Sequence, residues 1–544
     1  MRYIADAAQM KEIDRRTSEE IGIPAIVLME RAAEQIAGQA EKLLCDPHSL
    51  EFSFSESSAQ ENLLAGKRVL AVYGAGGNGG DAVAAARLLK LKGASVYLYS
   101  AGNKIPCELT AQQLAIAKKC KVEELTQFPE YGKTGNDIDF SAYDLILDGI
   151  FGIGLSREVE GECRALIMQI NEAKTPVLSI DIPSGIHAGT GECLGAAVRA
   201  TLTVTFGEYK IGHFLYPGIF YCGKTVLADA GFVPEFNRKV LLAGKYQYFT
   251  YDRSDKKRLL SARVPHSHKG SYGKVLIYAG SENITGAAYL SAKAAYRCGV
   301  GLVKLLSVPE CVNTVRQMLP EALYEILPEE KEAEFFSREV AWADAVLIGP
   351  GIGTGEEAAK SLSLLLAAGR EQKKPFVLDA DALNLLAKEA DQQERIQNFE
   401  RLVWISQKLP KYSILTPHPK ELSRLTGQTV EEITEHFIDT ARQCIYNNHL
   451  IYVLKDASTL VACGREIYIN RSGCDGMATG GSGDVLAGMI AGLCVGRGAY
   501  EAASAGVFLH GLAGEYAQQR CGCRAMLAGD ILDGMLCFER DFPA

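Results

Sequence analysis

Short, almost continuously apolar runs recur along this chain, and stretches with a helical spacing of apolar residues separate them. Strands that are apolar on both faces are typical of parallel sheets covered by helices on both sides. Strands and helices in alternation predict an α/β fold with a doubly wound sheet. In the first half of the chain the runs cover residues 68–73, 95–99, 143–148, 176–181, 200–206 and 224–229.

The second half has the same alternation, which predicts a second doubly wound α/β layer. Between the halves, residues 235–263 are polar and basic, as expected of a linker. We therefore predict a first domain at residues 1–234, a linker at 235–263 and a second domain at 264–544. Within the linker, residues 246–251 could pair as a strand with the second domain. The apolar runs of this half begin at residues 274, 302, 345, 375, 413 and 451.

The segment before the first strand differs from this pattern. Residues 1–44 have the intermittent apolar face of a helix, which Pro24 interrupts. Residues 45–62 are rich in Ser and Glu and predict a surface insertion. Charged residues at the N-terminus leave no apolar core for a signal peptide, and no apolar run reaches the ~18 residues needed to cross a bilayer.

Composition narrows the possible partners and compartment. With 57 basic and 66 acidic residues, the chain has a formal charge of −9 over 544 residues. This balance argues against nucleic acid as a ligand, because binding to a phosphate backbone needs clustered Lys and Arg. The 15 cysteines are scattered and form no Cys-x-x-Cys pair. We therefore expect reduced thiols and a cytoplasmic protein that does not bind a membrane.

The most informative stretch is Met477-Ala478-Thr479-Gly480-Gly481-Ser482-Gly483-Asp484, which precedes an apolar helical run. Small residues before a helix leave backbone N–H groups free to bind phosphate oxygens. A carboxylate beside an anion site would repel the anion, unless its task is to take a proton from the group that attacks the phosphate. Asp484 is thus a candidate general base. The alternative is a glycine-rich turn whose Asp only caps the helix.

A second glycine-rich stretch, residues 74–81, follows the first strand and satisfies G-x-G-x-x-G. A dinucleotide-binding Rossmann site is one interpretation. The next strand, however, ends in Ser100 rather than in an acidic residue that would bind a ribose. Asp81 would also place negative charge near a pyrophosphate. The oxygens of Asn78 and Asp81 better suit a cation or a hydroxylated ligand.

Two later strands of the first half both end in aspartate, at Asp148 and Asp181. Ligands of open α/β sheets collect at the carboxyl ends of strands, so both side chains should converge on the first glycine-rich loop. A single strand-end Asp is often only a helix cap. Two of them beside an Asn-Gly-Gly-Asp loop favour a binding or catalytic site.

Together, these motifs resemble a known pair of enzyme families. The second half resembles the ADP- or ATP-dependent NAD(P)H-hydrate dehydratases of the ribokinase-like fold, and the first half resembles the Rossmann-like NAD(P)H-hydrate epimerases. The resemblance covers nearly the whole chain, in the order of the fused bacterial repair enzymes. It rests on the glycine-rich stretch before Asp484 and on Gly349-Pro350-Gly351-Ile352-Gly353, Asp379-Ala380-Asp381-Ala382-Leu383-Asn384 and Thr416-Pro417-His418-Pro419.

The resemblance implies a metabolite-repair function. Its substrates are NADHX and NADPHX, damaged cofactors in which water has added to the nicotinamide and left a hydroxyl at C6. The epimerase would interconvert the R and S hydrates. The dehydratase would phosphorylate the C6 hydroxyl of the S form from ADP or ATP with Mg²⁺ and then eliminate phosphate. The resemblance also implies a homo-oligomer.

Site residues of the dehydratase follow from the same resemblance. Asp484 would act as the base, and Ala287, Gly353, His418 and Asp484 would contact the hydrate. The residues implied to bind the nucleotide are Lys455, Asp456, Ala457, Ser458, Thr459, Thr479, Gly480, Gly481, Ser482 and Gly483. A solvated surface Lys455 and a helix-capping His418 are the alternatives that the residue types leave open.

For the epimerase, the resemblance implies a potassium ion bound by Asn78, Asp148 and Ser184, with Asp181 as the candidate catalytic residue. An all-oxygen site suits a hard cation. The residues implied to contact the hydrate are Gly77, Asn78, Gly79, Gly80, Asp81, Gly152, Ile153, Gly154, Leu155, Ser156, Arg157, Glu158 and Asp181.

Some positions depart from the family pattern. Gly77 and Ala82 replace an Asn and a Gly of the epimerase loop, and Asp456 and Ser458 replace two glycines of the dehydratase. Two other functions fit part of the residues. One is a ribokinase-like small-molecule kinase that releases a stable phosphorylated product. The other makes the first half a non-catalytic binding or scaffolding domain, since fold alone does not determine function.

Overall fold

A computed structural model describes residues 1–45, 63–125, 138–260, 263–330, 332–393, 398–446 and 448–538. The predicted insertion at 45–62 lies outside these residues, apart from Cys45. The chain divides into two compact units, one of Tyr3–Gln247 and one of Met1–Arg2 together with Tyr248–Ala544. The residues predicted as a linker contribute helix and strand to these units.

The sheet of the unit Tyr3–Gln247 is parallel throughout and has the order β4-β3-β2-β5-β6-β7-β8. The order reverses between β2 and β5, so the loops after these strands open a crevice of the kind in which doubly wound folds bind ligands. After an initial strand β1 (Arg2–Ile4), the strands are β2 (Arg68–Tyr73), β3 (Ser95–Ser100), β4 (Glu123–Leu125), β5 (Leu145–Gly149), β6 (Val177–Ile180), β7 (Leu202–Phe206) and β8 (Lys224–Ala228).

Helices cover both faces of this sheet. Along β2, Val69 and Ala71 belong to one buried apolar cluster and Leu70 and Val72 to another, as expected for a strand buried on both sides. The helices are α1 (Ala7–Arg16), α2 (Ala25–Cys45), α3 (Gly77–Leu91), α4 (Glu108–Lys119), α5 (Gly161–Glu172), α6 (Gly218–Cys222) and α7 (Pro234–Ala243), with a π-helical segment at Thr17–Ile21.

The helix boundaries correct two expectations. The predicted helix over residues 1–44 begins only at α1, because Asp6 caps it in a capping box with Gln9 and the preceding residues form β1. Helix α3 starts at Gly77 rather than at Ala82, with Gly76 as its N-cap. Asn78 and Asp81 therefore lie in the first turns of a helix and not in a free loop.

The larger unit contains a mixed sheet with the order β9-β18-β17-β16-β15-β14-β13-β10-β11-β12. It is parallel from β12 to β16 and antiparallel from β16 to β18, and its order reverses between β10 and β13. Its remaining strands are β9 (Gln247–Thr250), β10 (Lys274–Tyr278), β11 (Leu302–Ser307), β12 (Leu323–Ile326), β13 (Ala345–Ile348), β14 (Phe376–Leu378), β15 (Ile414–Leu415), β16 (Ile451–Leu454), β17 (Leu460–Cys463) and β18 (Glu466–Ile469).

The predicted pair of doubly wound α/β layers is thus confirmed, and the strand foreseen at residues 246–251 is β9. Among the described residues, no helix has the length and apolar character needed to cross a membrane. The helices of this unit are α8 (Lys256–Leu259), α9 (Gly286–Arg297), α10 (Pro309–Met318), α11 (Ala333–Trp342), α12 (Glu356–Gln372), α13 (Asp381–Asp391), α14 (Glu400–Lys408), α15 (Pro419–Thr426), α16 (Val430–Glu435), α17 (Phe437–Cys444), α18 (Ser482–Leu493), α19 (Ala499–Cys521) and α20 (Ala528–Gly534).

Helix α18, which follows the glycine-rich stretch, packs closely on α9. A Cβ at Gly488 would lie 2.2 Å from the backbone oxygen of Ser291, so only glycine allows this approach. The Ser291 hydroxyl also donates to the backbone oxygen of Asp484 at 3.0 Å. These contacts fix the start of α18 and hence the position of the candidate base.

Candidate active sites

A cavity of 670 Å³ opens at the carboxyl ends of β2, β5 and β6, at the crossover point of the smaller sheet. This volume is in the range of small-molecule sites. Helices α1 and α2 form one wall of the cavity, and the start of α3 and the loop after β5 form the other. The cavity therefore lies where open α/β sheets bind their ligands.

Most of the predicted hydrate-contacting residues meet in this cavity. The predicted residues that line it are Gly77, Asn78, Asp81, Gly152, Ile153, Gly154, Leu155, Ser156, Arg157 and Asp181. Gly79 and Gly80 are buried within α3 instead, and a Cβ at Gly79 would lie 1.9 Å from the Gly74 carbonyl oxygen. Glu158 lines an adjacent cavity of 290 Å³.

The predicted cation ligands meet beneath the cavity, around the peptide of Phe151. Asp148 is fully buried and accepts hydrogen bonds from the Ser184 hydroxyl at 2.5 Å and from the Ser184 N–H at 2.9 Å. The Ser184 hydroxyl lies 3.1 Å from the Phe151 carbonyl oxygen, to which Asn78 Nδ2 donates at 3.0 Å. Burial raises the pKa of Asp148, and the hydrogen bonds oppose this shift.

Asp181 follows β6 with a positive φ of 65°, an uncommon conformation for a non-glycine residue. Its Oδ1 accepts a hydrogen bond from Thr205 at 2.9 Å and forms an ion pair with Lys210, which is completely buried. His213 Nε2 lies 2.9 Å from the Asp181 backbone oxygen. Both the side chain and the backbone of Asp181 are thus held in one orientation.

Sequence reasoning missed two charged residues of this site, Asp14 and Lys210. Both line the cavity, Asp14 from α1 and Lys210 from the segment after β7. Burial, together with the charge of Asp181, raises the pKa of Asp14 to about 7. Burial also raises the pKa of Asp81 well above its usual value, with Asp181 and Asp14 adding to the shift. The cavity therefore combines carboxyl groups in unlike environments, a property of acid–base sites.

In the larger unit, the glycine-rich stretch forms the start of α18, with Gly481 as N-cap at a φ of 89°. A residue with a Cβ would be strained there, and its Cβ would lie 2.5 Å from Leu290 Cδ1. The first N–H groups of a helix have no partner within it and attract anions. Asp484 lies in this first turn, and burial, helped by the charge of Asp379, raises its pKa to about 7.

Lys455 lies against the start of α18. The Lys455 Nζ would lie 3.5 Å from a Cβ at Gly483. It donates a hydrogen bond to Asp379 at 2.8 Å and lies 3.8 Å from a carboxylate oxygen of Glu421. Burial disfavours the charged form of Lys455 and so lowers its pKa. The charges of Asp379 and Glu421 outweigh this effect, and the pKa of Lys455 is raised. The alternative of a solvated surface lysine is therefore wrong, because Lys455 takes part in a largely buried ionic network.

His418 serves as the N-cap of α15. Its Nδ1 accepts from the N–H groups of Lys420 and Glu421 at 3.1 and 3.2 Å. Burial and the nearby Lys455 lower its pKa, so the ring is held neutral at physiological pH. His418 therefore does cap α15, as the alternative stated. Its side chain is also 46% exposed, so the same ring is accessible to a ligand.

The remaining predicted residues lie near this network. The Gly353 N–H donates to Asp381 at 2.9 Å, and a Cβ at Gly351 would lie 3.4 Å from the Ala287 side chain. The predicted nucleotide-binding turn follows β16, and within it the Thr459 hydroxyl donates to the Asp456 backbone oxygen at 3.0 Å. The turn therefore forms even with the unusual residues Asp456 and Ser458.

Two buried carboxylates of this site, Asp379 and Glu421, were not among the predicted site residues. Asp379 directly follows the buried strand β14, as Asp148 ends a buried strand in the first half, so the strand-end pattern could have identified it. It accepts a hydrogen bond from Thr416 at 2.7 Å. Glu421 is the third residue of α15 and closes the capping box of His418.

Comparison with known proteins finds one family for each half of the chain. A family model described as NAD(P)H-hydrate dehydratase matches residues 275–535, and one described as YjeF-related protein N-terminus matches residues 25–212. A solved ADP/ATP-dependent NAD(P)H-hydrate dehydratase from Bacillus subtilis, co-crystallised with ATP and Mg²⁺, is 29% identical, covers 54% of this chain and 98% of that chain, and has a TM-score of 0.45.

Relatives that carry both halves were also found. A bifunctional NAD(P)H-hydrate repair enzyme from Thermofilum pendens is 35% identical over 95% of this chain and 93% of its own length. Enzymes of the same name from Moorella thermoacetica and Escherichia coli are 35% and 32% identical, over 98% and 85% of this chain and 95% and 83% of their own lengths. The chain therefore belongs to the family of bifunctional NAD(P)H-hydrate repair enzymes.

Proposed function

We propose that this chain restores NADH and NADPH from their hydrates, with epimerisation in the unit Tyr3–Gln247 and dehydration in the larger unit. The observation that carries the proposal is the position of Asp484. Its carboxyl group lies in the first turn of α18, where helix N–H groups attract phosphate, and its pKa is raised to about 7. A base with a pKa near the working pH is the most effective proton acceptor.

In the dehydratase, Asp484 takes the proton of the C6 hydroxyl while that oxygen attacks the terminal phosphorus of ADP or ATP. The N–H groups of Gly480 to Gly483 stabilise charge on the transferring phosphoryl group. The P–O bond to the rest of the nucleotide breaks and releases AMP from ADP, or ADP from ATP. The C6–O bond then breaks with its electron pair on the departing phosphate, and C5 loses a proton to water, which restores the C5–C6 double bond. Ala287, Gly353 and His418 contact the hydrate in this proposal.

The buried carboxylates suit the magnesium ion that accompanies a nucleotide. Mg²⁺ is usually bound by one or two protein carboxylates together with phosphates and water, and Asp379 and Glu421 are largely buried oxygen donors beside Lys455. Asp379 and Glu421 would hold the ion, which would neutralise phosphate charge. Lys455 and the turn Asp456 to Thr459 would bind the nucleotide.

In the epimerase, the donors that meet around Phe151 suit a hard monovalent cation. Asn78, Asp148 and Ser184 offer only oxygen ligands, and the Phe151 carbonyl lies among them. These residues would hold K⁺, which would fix the loop after β5. Gly152 to Glu158 and Asp181 would contact the hydrate, and Asp181 would move protons. Epimerase rates in potassium and in choline buffers test this site.

The competing function is a ribokinase-like kinase joined to a non-catalytic first domain. It would need the same anion site and Asp484. It gives no reason for a cavity in the first unit that combines Asp14, Asp81, Asp181 and a fully buried Lys210. A mere binding domain would not be expected to bury so many ionisable groups together, since burial of charge costs free energy.

The deciding experiment uses a mixture of R and S hydrates with ADP or ATP and Mg²⁺, and follows NADH absorbance. Full conversion supports both activities. Conversion that stops when the S hydrate is consumed would refute the epimerase. No recovery with either nucleotide, and a stable phosphorylated product instead, would favour the kinase.

The resemblance also implies self-association and a cytoplasmic location. All 15 cysteines are free thiols, as a reducing compartment would keep them. Light scattering of the purified protein would measure its oligomeric state directly.

A further inference from the structure

Asp181 is held in place by a buried lysine. The Lys210 ammonium has three hydrogens, and it donates to Asp181, to the Thr205 hydroxyl at 2.7 Å and to the Phe206 carbonyl at 2.9 Å. Lys210 is fully buried, so these contacts use all of its hydrogens. The ion pair supplies the counter-charge that a buried ammonium requires, and it presents the Asp181 carboxylate to the cavity as a proton acceptor.

Asp14 lies in the same cavity but has different neighbours. It projects from α1, and among the described residues its carboxyl group has no hydrogen-bond or ion-pair partner. With a pKa of about 7, it carries a proton about half the time at neutral pH. The charged and titratable side chains that share the cavity with it are Lys11, Asp81, Lys104, Arg157, Asp181 and Lys210.

We propose that Asp14 is the proton donor and acceptor of the epimerase and that it works opposite Asp181 to open and reclose the hydrated nicotinamide ring. The inference rests on the proposed epimerase function and extends it to a residue and a reaction path. Its basis is the placement in one cavity of an ion-paired carboxylate, Asp181, and a carboxyl group that has no hydrogen-bond partner among the described residues, Asp14.

The ring atom C6 carries both a hydroxyl and the ring nitrogen N1, so it can open as a hemiaminal does. Asp181 takes the hydroxyl proton, the C6–O bond becomes a carbonyl, and the C6–N1 bond breaks. Its electron pair stays on N1, which takes the proton of Asp14. Rotation about the C5–C6 bond then turns the other face of the aldehyde toward N1.

Reclosure reverses these transfers on the new face. N1 returns its proton to Asp14 and attacks the carbonyl carbon, and the alkoxide recovers the proton held by Asp181. No atom, electron or co-reactant is gained or lost over the cycle. The path needs a base at the hydroxyl and an acid at N1 in the same step, which matches the ion-paired Asp181 and the Asp14 carboxyl group in the same cavity.

Glu12 lies on the same helix as Asp14 and provides the matched control. Its carboxylate pairs with Arg15 at 2.8 Å, its side chain is 42% exposed, and it does not line the cavity. Glu12→Gln makes the same change from an acid to an amide on α1, but outside the cavity. Glu12→Gln should therefore be tolerated far better than Asp14→Asn.

The experiment follows interconversion of pure R and S hydrates by chromatography with the full chain and without nucleotide. Asp14→Asn should lower kcat by about 10²–10⁴-fold with little change in KM, which is the usual contribution of a general acid–base group. Glu12→Gln should leave kcat nearly unchanged, and Asp14→Glu should recover part of the lost rate. Dehydration of pure S hydrate with ADP reports that the larger unit is folded, and thermal melting of each variant reports on the unit Tyr3–Gln247.

An Asp14→Asn enzyme with an unchanged kcat, or losses that are equal in Asp14→Asn and Glu12→Gln, would overturn the assignment. If wild-type protein fails to exceed the uncatalysed rate, the proposed epimerase function itself is wrong. An isotope test needs no variant. In ¹⁸O-labelled water, ring opening keeps the original C6 oxygen through the first turnover, whereas incorporation of ¹⁸O into each epimerised molecule would mean loss of water and refute the path.

Discussion

Replacement of Asp484 by Asn tests the dehydratase assignment most directly. The amide has nearly the same shape and leaves the start of α18 intact, but it cannot take a proton from the C6 hydroxyl. We expect kcat for dehydration to fall by about 10²–10⁴-fold, the usual contribution of a general base. Epimerisation in the other unit should be unchanged, which makes it an internal control.

The same carboxyl group should set the pH dependence. With a pKa of about 7, roughly a tenth of Asp484 is ionised at pH 6 and roughly nine tenths at pH 8. Because the ionised form is the base, kcat/KM for the S hydrate should rise about tenfold between these pH values and then level off. Burial and the charges of Asp379 and Asp381 place this rise well above the usual range of an aspartate.

Asp381→Asn tests the electrostatic part of this reasoning. The new amide can still accept the Gly353 N–H, but the negative charge that raises the pKa of Asp484 is gone. The rise in kcat/KM should therefore move to lower pH. Steady-state rates of NADH recovery, measured from pH 5.5 to 9, give the pH profiles of Asp484→Asn and Asp381→Asn. If Asp484→Asn keeps its turnover, or shows the wild-type pH profile, Asp484 is not the base.

Three further outcomes follow from buried contacts. Lys455→Met removes a charge that lowers the pKa of Asp484, so the pH profile should move to higher pH and the KM for ADP should increase. Gly488→Ala forces a Cβ to 2.2 Å from a backbone oxygen of α9 and should destabilise the larger unit by about 1–3 kcal/mol in denaturant unfolding, whereas Gly480→Ala meets no atom within 4 Å and should not. Burial lowers the pKa of His510 to about 4, below its value of about 6.5 in the unfolded chain. The free energy of unfolding should therefore be highest above pH 6.5 and should fall by up to about 3 kcal/mol as the pH decreases to 4. His510→Asn should flatten that decline in pH-dependent thermal melting.

Much of the architecture could be predicted because its signals are local. Buried parallel strands are apolar on both faces, and this pattern located strands such as β2 and β5 almost to the residue. Strand ends in a doubly wound sheet share one edge, so the order of strands along the chain was enough to place Asp148 and Asp181 near the first glycine-rich stretch. Helix starts were harder, because the glycines before Ala82 suggested a loop although they form the first turn of α3.

The unpredicted part of the site depends on packing between distant segments. Asp14 is an ordinary charged position on an amphipathic helix until α1 packs over the end of the sheet. Lys210 looks like a surface residue in sequence, and only its ion pair with Asp181 makes its burial possible. Neither fact has a local signature, because the pKa of a group depends on neighbours that the fold supplies from elsewhere.

The two sites reach a similar chemical state by different means. Asp484 and Asp14 both have a pKa of about 7, and in both cases burial is the main cause and a neighbouring aspartate adds to it. The difference lies in the counter-charge. Lys455 lies beside the N-terminus of α18, where the surroundings favour a phosphate, whereas Lys210 is enclosed and bonded to Asp181, Thr205 and Phe206. The first arrangement suits the proposed activation of a hydroxyl toward a phosphoryl donor. The second suits the proposed epimerisation, which only moves protons and needs no anion site.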